Sequence, residues 1–208
     1  MTPELRVLLA TRSPGKLREL SGILYDEGML GITLDEARID YLPDEEGIEC
    51  FDTFEENALA KARYFHRKSG LPTLADDSGL SVSSLGGAPG VWSKRYSGRD
   101  DLEGQELDDA NNAKLLSALK GFRDVSASYA CAAAYVDGHT EASALGQTFG
   151  RIVTEPVGEN GFGYDPYFYS AELEKTFGEA GVPEKAVVSH RGRAFRALFA
   201  ALRERVVG

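Results

Sequence analysis

Two adjacent acids, Asp76 and Asp77, follow a short apolar segment at 73–75 that is typical of a strand, and Ser78 comes next. Neighbouring carboxylates repel each other unless a cation or hydrogen bonds hold them. Mg²⁺ prefers hard oxygen ligands, and a carboxylate can also serve as a general base towards water. The alternative is a solvated turn held by its own side chains. The pair alone does not decide between a metal site and such a turn.

The segment 11–16, Thr-Arg-Ser-Pro-Gly-Lys, predicts the turn between a strand and a helix, with Ser13 as the N-cap. The first turn of a helix presents backbone N–H groups and a positive dipole end, which suit a phosphate, and Lys16 would add a point charge. The Walker pattern fails, because Ala10 and Leu17 stand where Gly and Ser or Thr are needed. The alternative is a capped helix with a solvent-exposed lysine.

The segment 161–166, Gly-Phe-Gly-Tyr-Asp-Pro, combines aromatic rings with glycines. Phe162 and Tyr164 offer flat faces on which a base can stack. The glycines, Gly163 among them, allow a ligand to approach the backbone closely. Asp165 could accept hydrogen bonds from ring N–H groups. A tight turn with partly buried aromatic side chains is the alternative.

Three basic side chains, Lys185, His190 and Arg191, stand just ahead of a predicted last helix. A helix N-terminus usually disfavours cations, so an anion or a carbonyl oxygen would explain them. An N-cap at Ser189 with exposed basic side chains is the alternative.

An acidic loop contains Glu45, Glu46 and Glu49, and Lys61 lies on the helix that follows it. Taken alone, the loop is typical of a solvated charge run, and a single helical lysine usually faces solvent.

The periodicity of apolar residues predicts a mixture of strands and helices, and hence one α/β domain over residues 1–208. Asp137-Gly138 predicts a hairpin turn. The predicted strands are 5–11, 73–75, 126–136 and 140–148; the predicted helices begin at Pro14, after a Thr53 cap (to about His66), at Asp108 (to Leu119) and at about Gly192 (to about Val206).

The bulk composition narrows the class of protein. The net charge of −10 and the lack of an evident basic face argue against a nucleic-acid polymer as partner. No apolar run approaches the roughly 18 residues of a membrane span, and no secretory signal is evident, so we expect no membrane association and a cytoplasmic location. Cys50 and Cys131 lack the spacing of zinc ligands.

Five segments together resemble the inosine triphosphate pyrophosphatase family, whose members are also described as XTP/dITP diphosphatases. They lie between residues 7 and 198 and read LLATRSPGKLREL, FEENALAKAR, LADDSGLSVSSLGGAPGVWSKRYSG, GFGYDPYF and EKAVVSHRGRAFRAL. The resemblance implies an elongated α/β fold with a mixed β-sheet flanked by helices and two lobes around a central nucleotide-binding cleft. It also implies a homodimer that requires Mg²⁺.

The activity implied by the resemblance is hydrolysis of non-standard purine nucleoside triphosphates, such as ITP, dITP, XTP and dXTP, to the monophosphate and pyrophosphate. Asp77 matches the family's metal-linked catalytic aspartate. Our hypothesis for the mechanism is that its carboxylate deprotonates a water, which attacks the α-phosphorus. The implied metal ligands are Glu49, Asp77 and the neighbouring Asp76. The implied substrate contacts are Thr11, Arg12, Ser13, Lys16, Lys61 and Ser78 along the triphosphate, and Phe162, Gly163, Tyr164, Asp165, Lys185, His190 and Arg191 around the base.

The chain departs from the family pattern in three places. Ser13 replaces the usual Asn, Arg12 is bulkier than usual, and Glu49-Cys50-Phe51 replaces a Glu-Thr-Gly pattern. The last change leaves Glu45 and Glu46 open as alternative metal ligands. Two other functions also stay open: a nucleotide-binding sensor without turnover, and a pyrophosphatase with a different base preference.

Overall fold

The computed structural model describes the backbone of residues 5–207 and the side chains of residues 5–204. The ends of the predicted 1–208 domain and the side chain of Val206 lie outside these ranges. The strands are β1 (Leu5–Leu9), β2 (Met29–Ile32), β3 (Thr73–Val82), β4 (Ser126–Val136), β5 (Glu141–Ile152), β6 (Phe168–Ser170) and β7 (Lys175–Thr176). The helices are α1 (Pro14–Asp26), α2 (Phe54–Ser69), α3 (Gly104–Ala118), α4 (Val182–Val188) and α5 (His190–Val207).

The strands form one mixed sheet in the order β2-β1-β3-β4-β5-β6-β7. Strand β1 pairs in parallel with β2 and β3, whereas β6 pairs antiparallel with both β5 and β7. The expected α/β fold with a mixed sheet is therefore confirmed. Within the described part of the chain, none of the helices combines the length and apolar character that a membrane crossing requires.

Local sequence signals located several elements correctly. Ser13 is the N-cap of α1 with Pro14 in its first turn, and Thr53 caps α2, where its Oγ1 accepts from the backbone N of Glu56 at 3.2 Å. Strands β4 and β5 are neighbours joined through Asp137, whose N–H donates to the carbonyl of Thr140 at 3.2 Å. The predicted hairpin is confirmed.

The prediction for the third strand was wrong in its length. It placed the strand end at Ala75 and left a turn after it as one alternative, but β3 continues to Val82. Two charged residues inside a buried strand are tolerated here because each finds partners on the helices beside the sheet, as described below. Those partners are distant in sequence, so the acidic pair looked like the start of a loop.

The chain divides into two compact units. Unit 1 contains the described residues up to 77, together with 131–146 and those from 191 onward; unit 2 contains 78–130 and 147–190. Unit 1 has two apolar clusters, one beneath α1 and α5 and the other beneath α2. Unit 2 has a single cluster among its described residues, which is rich in aromatic side chains from β4, β6 and β7.

The pleat of β3 decides where its acids point. Leu74 packs into the cluster beneath α1 and α5, and Ala75 packs into the cluster beneath α2. Because successive strand side chains alternate between faces, Asp76 lies on the face of Leu74 and Asp77 on the face of Ala75. The two acids therefore meet different helices.

Candidate active site

The carboxylate of Asp76 is buried and paired with two cations of unit 1. Its Oδ2 accepts from Nε and Nη2 of Arg191, each at 3.0 Å, and lies 3.1 Å from Nζ of Lys16. Burial alone would raise the pKa of Asp76, but the charges of Lys16 and Arg191 outweigh it and hold the pKa far below its usual value. Asp76 is therefore ionised and electrostatically compensated.

Arg191 lies in this ion cluster, although the sequence predicted it at the base. Its Nη1 donates to Glu19 of α1, while its Nε and Nη2 hold Asp76. Burial opposes its charge, but the two carboxylates raise its pKa. Glu19 was missed by sequence reasoning; its one signal is its place one helical turn after Lys16.

Asp77 lies on the opposite face of β3 and has a different environment. Its Oδ2 accepts from Nδ2 of Asn57 on α2 at 2.9 Å, and 7% of the residue is exposed. Burial, followed by the negative charge of Glu49, raises the pKa of Asp77. A carboxyl with a raised pKa is a better proton acceptor in its ionised form, which suits general-base chemistry.

Asn57 links Asp77 to the loop that carries Glu49. Its Oδ1 accepts from the backbone N of Phe51 at 2.9 Å, and its Nδ2 also lies 3.2 Å from the Phe51 carbonyl. Sequence reasoning missed Asn57, because a buried Asn in a helix has no local signature. The side chain thus holds the acidic loop beside the catalytic candidate.

The three loop glutamates have different partners. Glu45 forms a two-pronged ion pair with Arg12, at 2.9 Å for each contact, and Glu46 accepts from the hydroxyl of Tyr41 at 2.8 Å. Glu49 instead pairs with Lys61. Burial opposes the charge of Lys61, but the nearby carboxylates, Glu49 foremost, raise its pKa. These contacts favour Glu49 over the other two as the metal ligand.

The acids fit a metal that also binds substrate. Within the described residues, no group of three His, Cys, Asp or Glu side chains forms a ligand set. Glu49 and Asp77 do interact as like charges. Mg²⁺ commonly uses one or two carboxylates and takes its remaining ligands from water and phosphate. Asp76 offers this ion at most Oδ1, which accepts no hydrogen bond from the described residues.

The first turn of α1 has the N-cap that the sequence predicted. Ser13 Oγ accepts from the backbone N of Lys16 at 3.4 Å, and Thr11 Oγ1 accepts from the backbone N of Ser13 at 3.2 Å. Arg12 also donates to the carbonyl of Ile39 at 3.1 Å, so its guanidinium is engaged by the acidic loop and its surroundings. Whether this turn binds a phosphate stays a prediction.

The segment 161–166 of unit 2, called the aromatic turn below, is held by a buried ion pair. Asp165 Oδ2 accepts from the backbone N of Phe162 at 2.8 Å and from Nζ of Lys185 at 2.6 Å. Gly161 has a φ of +79°, and a methyl group there would lie 2.1 Å from the same oxygen. Only glycine fits this position. One carboxylate oxygen of Asp165, a residue predicted at the base, is thus engaged by Phe162 and Lys185.

The aromatic residues of the turn differ in exposure. Tyr164 is buried and donates from its hydroxyl to the carbonyl of Ser93 at 2.8 Å, whereas Phe162 is half-buried. Lys185 Nζ lies 5.3 Å from the centroid of the Phe162 ring, and His190 stacks on Tyr129 with ring centroids 4.6 Å apart. Phe162 is therefore the better stacking surface of the predicted pair.

The basic residues expected ahead of the last helix are divided between elements. Lys185 lies on α4, Ser189 is the C-cap of that helix, and α5 begins at His190, two residues earlier than predicted. Lys185 and His190 belong to unit 2 with the aromatic turn, and Arg191 belongs to unit 1. Ser78, the predicted substrate contact after Asp77, is half-buried on β3.

The sequence profile of the Ham1 family matches residues 7–201, which is most of the chain. The chain belongs to the Ham1 family. The match includes both acids of β3, the first turn of α1 and the aromatic turn.

Curated and solved relatives agree with this membership in the Ham1 family. A protein of Thermus thermophilus named dITP/XTP pyrophosphatase is 46% identical over 96% of this chain and 93% of its own length. A protein of Ralstonia nicotianae with the same name is 44% identical over 95% of this chain and 96% of its own length. The structure of a HAM1 protein from Coxiella burnetii has a TM-score of 0.80 and 37% identity, covering 96% of this chain and 99% of that one.

Proposed function

We propose that this Ham1-family protein hydrolyses non-standard purine nucleoside triphosphates, such as ITP, dITP and XTP, to the monophosphate and pyrophosphate. The observation that carries the proposal is the buried Asp77, held by Asn57 and beside the Glu49–Lys61 pair. The names of the relatives, dITP/XTP pyrophosphatase, support this substrate class.

Asp77 is the proposed general base. Its carboxylate takes the proton of the water that attacks the α-phosphorus, and pyrophosphate leaves. Asn57 holds one oxygen of that carboxylate and so limits its rotation. Lys61 and Lys16 supply positive charge to the triphosphate, and the first turn of α1 supplies backbone N–H groups.

A divalent cation, with magnesium as the first candidate, is proposed to be held by Glu49 and Asp77. When bound, it would neutralise charge on the triphosphate and on the departing pyrophosphate. Replacement of Glu49 by Gln is expected to raise the magnesium concentration for half-maximal activity about tenfold or more. The matched controls are Glu45→Gln and Glu46→Gln, whose partners are Arg12 and Tyr41. An equal shift in either control would contradict the choice of Glu49.

Base selection is proposed to depend on donors and a stacking ring in unit 2. Hypoxanthine and xanthine carry an oxygen at position 6, which Lys185 or His190 can meet as donors, and Phe162 offers a half-buried face. Adenine presents an amino group to the same donors. Leaving them unpaired costs on the order of 1–3 kcal/mol per buried group.

The test is release of pyrophosphate from ITP, XTP, GTP and ATP, each with and without magnesium. We expect release from ITP and XTP that depends on the metal, with much slower release from ATP. Binding of ITP without release would instead support the nucleotide-binding sensor. Faster release from a damaged pyrimidine triphosphate would support the different base preference.

We also propose that both units serve one activity and that the protein acts as a cytoplasmic homodimer on small nucleotides. This proposal is supported by the family resemblance and by a net charge of −10, which disfavours a polymer partner. Sedimentation equilibrium gives the mass of the assembly, and a monomeric mass at assay concentration would contradict the homodimer.

A further inference from the structure

Two side chains of α3 hold the backbone of Gly163 in the aromatic turn. Asp108 Oδ2 accepts from the N–H of Gly163 at 2.8 Å, and Asn112 Nδ2 donates to the carbonyl of Gly163 at 3.0 Å. Asp108 and Asn112 are four residues apart on one helix and so share a face. All of these atoms belong to unit 2.

The two hydrogen bonds restrain two different peptide planes. The N–H of Gly163 belongs to the plane shared with Phe162, and its carbonyl belongs to the plane shared with Tyr164. Gly163 has a φ of +63°, in the left-handed region, and is the pivot between these planes. We call Asp108 and Asn112, with their two hydrogen bonds to Gly163, the clamp. The clamp restrains the backbone rotation that directs the Phe162 ring relative to Tyr164.

Asn112 donates to Gly163 from a buried position. The residue is 5% exposed, and its Oδ1 accepts no hydrogen bond from the described residues. A buried acceptor without a partner costs free energy, and an apolar side chain of similar size would avoid that cost. The donor bond to Gly163 is what an apolar residue could not replace.

The other end of the turn has its own anchor. The hydroxyl of Tyr164 donates to the carbonyl of Ser93, and its ring packs in the aromatic core of unit 2. Tyr164 is therefore held whether or not the clamp is present. Phe162 is half-buried, and Asp165 holds the peptide plane before it through the Phe162 N–H. The bond from Asp108 to Gly163 holds the plane after it, so the direction of the ring depends on both contacts.

We propose that Asp108 and Asn112 are positioning residues that set base discrimination by fixing Gly163 and hence the Phe162 ring. This inference rests on the proposed function, because it assigns the stacking of the purine to that ring. Neither residue is among those proposed above to contact the triphosphate. Loss of the clamp should weaken recognition of the base and leave the acids of unit 1 intact.

The experiment compares Asp108→Ala and Asn112→Leu with two controls. Asp108→Asn keeps a side-chain oxygen that can accept from Gly163. Leu119→Ala removes a buried side chain at the C-cap of α3 and lowers stability while leaving both hydrogen-bonding side chains of the clamp in place. Two readouts are measured: the ITP-to-ATP ratio of kcat/KM, and the ITP-to-ATP ratio of Kd by calorimetry in the presence of a chelator.

We expect both clamp variants to lose about tenfold in preference for ITP, mostly through KM, which is the size of one lost hydrogen bond. Asp108→Asn and Leu119→Ala should keep the wild-type ratio. Unchanged ratios in the clamp variants, or an equal loss in Leu119→Ala, would overturn the inference.

A wild-type protein that binds ITP and ATP equally would overturn it as well. Selective binding without any turnover would refute the proposed hydrolysis, while the Kd ratios would still decide the role of the clamp.

Discussion

The ion cluster around β3 and the aromatic turn both bury a carboxylate, but they compensate it over different distances along the chain. Asp76 meets Arg191, which is 115 residues away, whereas Asp165 meets the N–H of Phe162, three residues away, and Lys185, 20 residues away. The first arrangement exists only when several elements of unit 1 have assembled. The second depends mainly on a local turn, which Gly161 permits.

The comparison also separates compensated acids from a reactive one. Asp76 and Asp165 each form a close ion pair with a cation. Asp77 accepts from the amide of Asn57, and burial and the charge of Glu49 raise its pKa more than Lys61 and Lys16 lower it. An acid whose charge is paired with a buried cation mainly holds neighbouring elements in place. An acid whose pKa is raised by burial and a like charge is suited to take a proton.

The largest effect is expected from Asp77→Asn. Turnover should fall about a hundredfold to ten-thousandfold, because the general base is lost. The unfolding free energy should stay the same or rise, since a buried charge with a raised pKa is removed. Steady-state pyrophosphate release and urea unfolding give the two quantities. Asp100→Asn, at an exposed acid, is the matched control. Near-normal turnover in Asp77→Asn would show that Asp77 is not the general base.

Arg191→Leu should produce the largest loss of stability, about 3–5 kcal/mol by denaturant unfolding, because the buried Asp76 and the half-buried Glu19 would both lose its charge. Arg203→Leu is the control, since that residue pairs with Glu27 at the surface and should change stability by less than about 1 kcal/mol. A small loss in Arg191→Leu would mean that the cluster does not depend on long-range pairing.

Gly161→Ala tests the local arrangement. The added methyl group would clash with Asp165 and the φ of +79° would strain any other residue, so about 1–3 kcal/mol of stability should be lost. Gly163→Ala is the matched comparison, because its φ is also positive but no atom lies near the added group. Equal losses measured by thermal unfolding would show that backbone strain alone matters, without the contact to Asp165.

The smallest effect is expected at the first turn of α1. Ser13→Ala removes the N-cap and should cost about 1 kcal/mol, while Ser13→Asn keeps a capping oxygen and should be nearly neutral. If this turn also binds the triphosphate, the Asn variant should lower KM for ITP. An unchanged KM would indicate that the residue caps the helix and does no more.

The sequence predicted correctly those features that depend on residues close together along the chain. The caps at Ser13 and Thr53 and the hairpin at Asp137 each depend on residues within a few positions of one another. The mixed α/β class followed from periodicity and from the family resemblance.

The features that sequence reasoning did not predict involve partners that are distant along the chain. The length of β3 and the Arg191–Asp76 pair depend on contacts between elements, which periodicity does not report. Asn57, Glu19 and Asn112 were missed for the same reason, since a polar residue on a helix usually faces solvent. The start of α3 at Gly104, four residues before the predicted Asp108, shows that polar first turns also conceal helix boundaries.

Because Asp76 and Asp77 lie on opposite faces of β3, the number of residues between the start of the strand and its acids decides which face each acid occupies. Deleting one residue between Thr73 and Ala75, with the strand held in its pairing, would move each acid to the opposite surface of the sheet. Ser78 would then take the position beside Asn57. Asp77, which lies near Glu49 in the intact chain, would take the position that faces Arg191. We therefore expect the spacing from the start of this strand to its acids to tolerate no single insertion or deletion, whereas substitutions among its apolar residues remain possible.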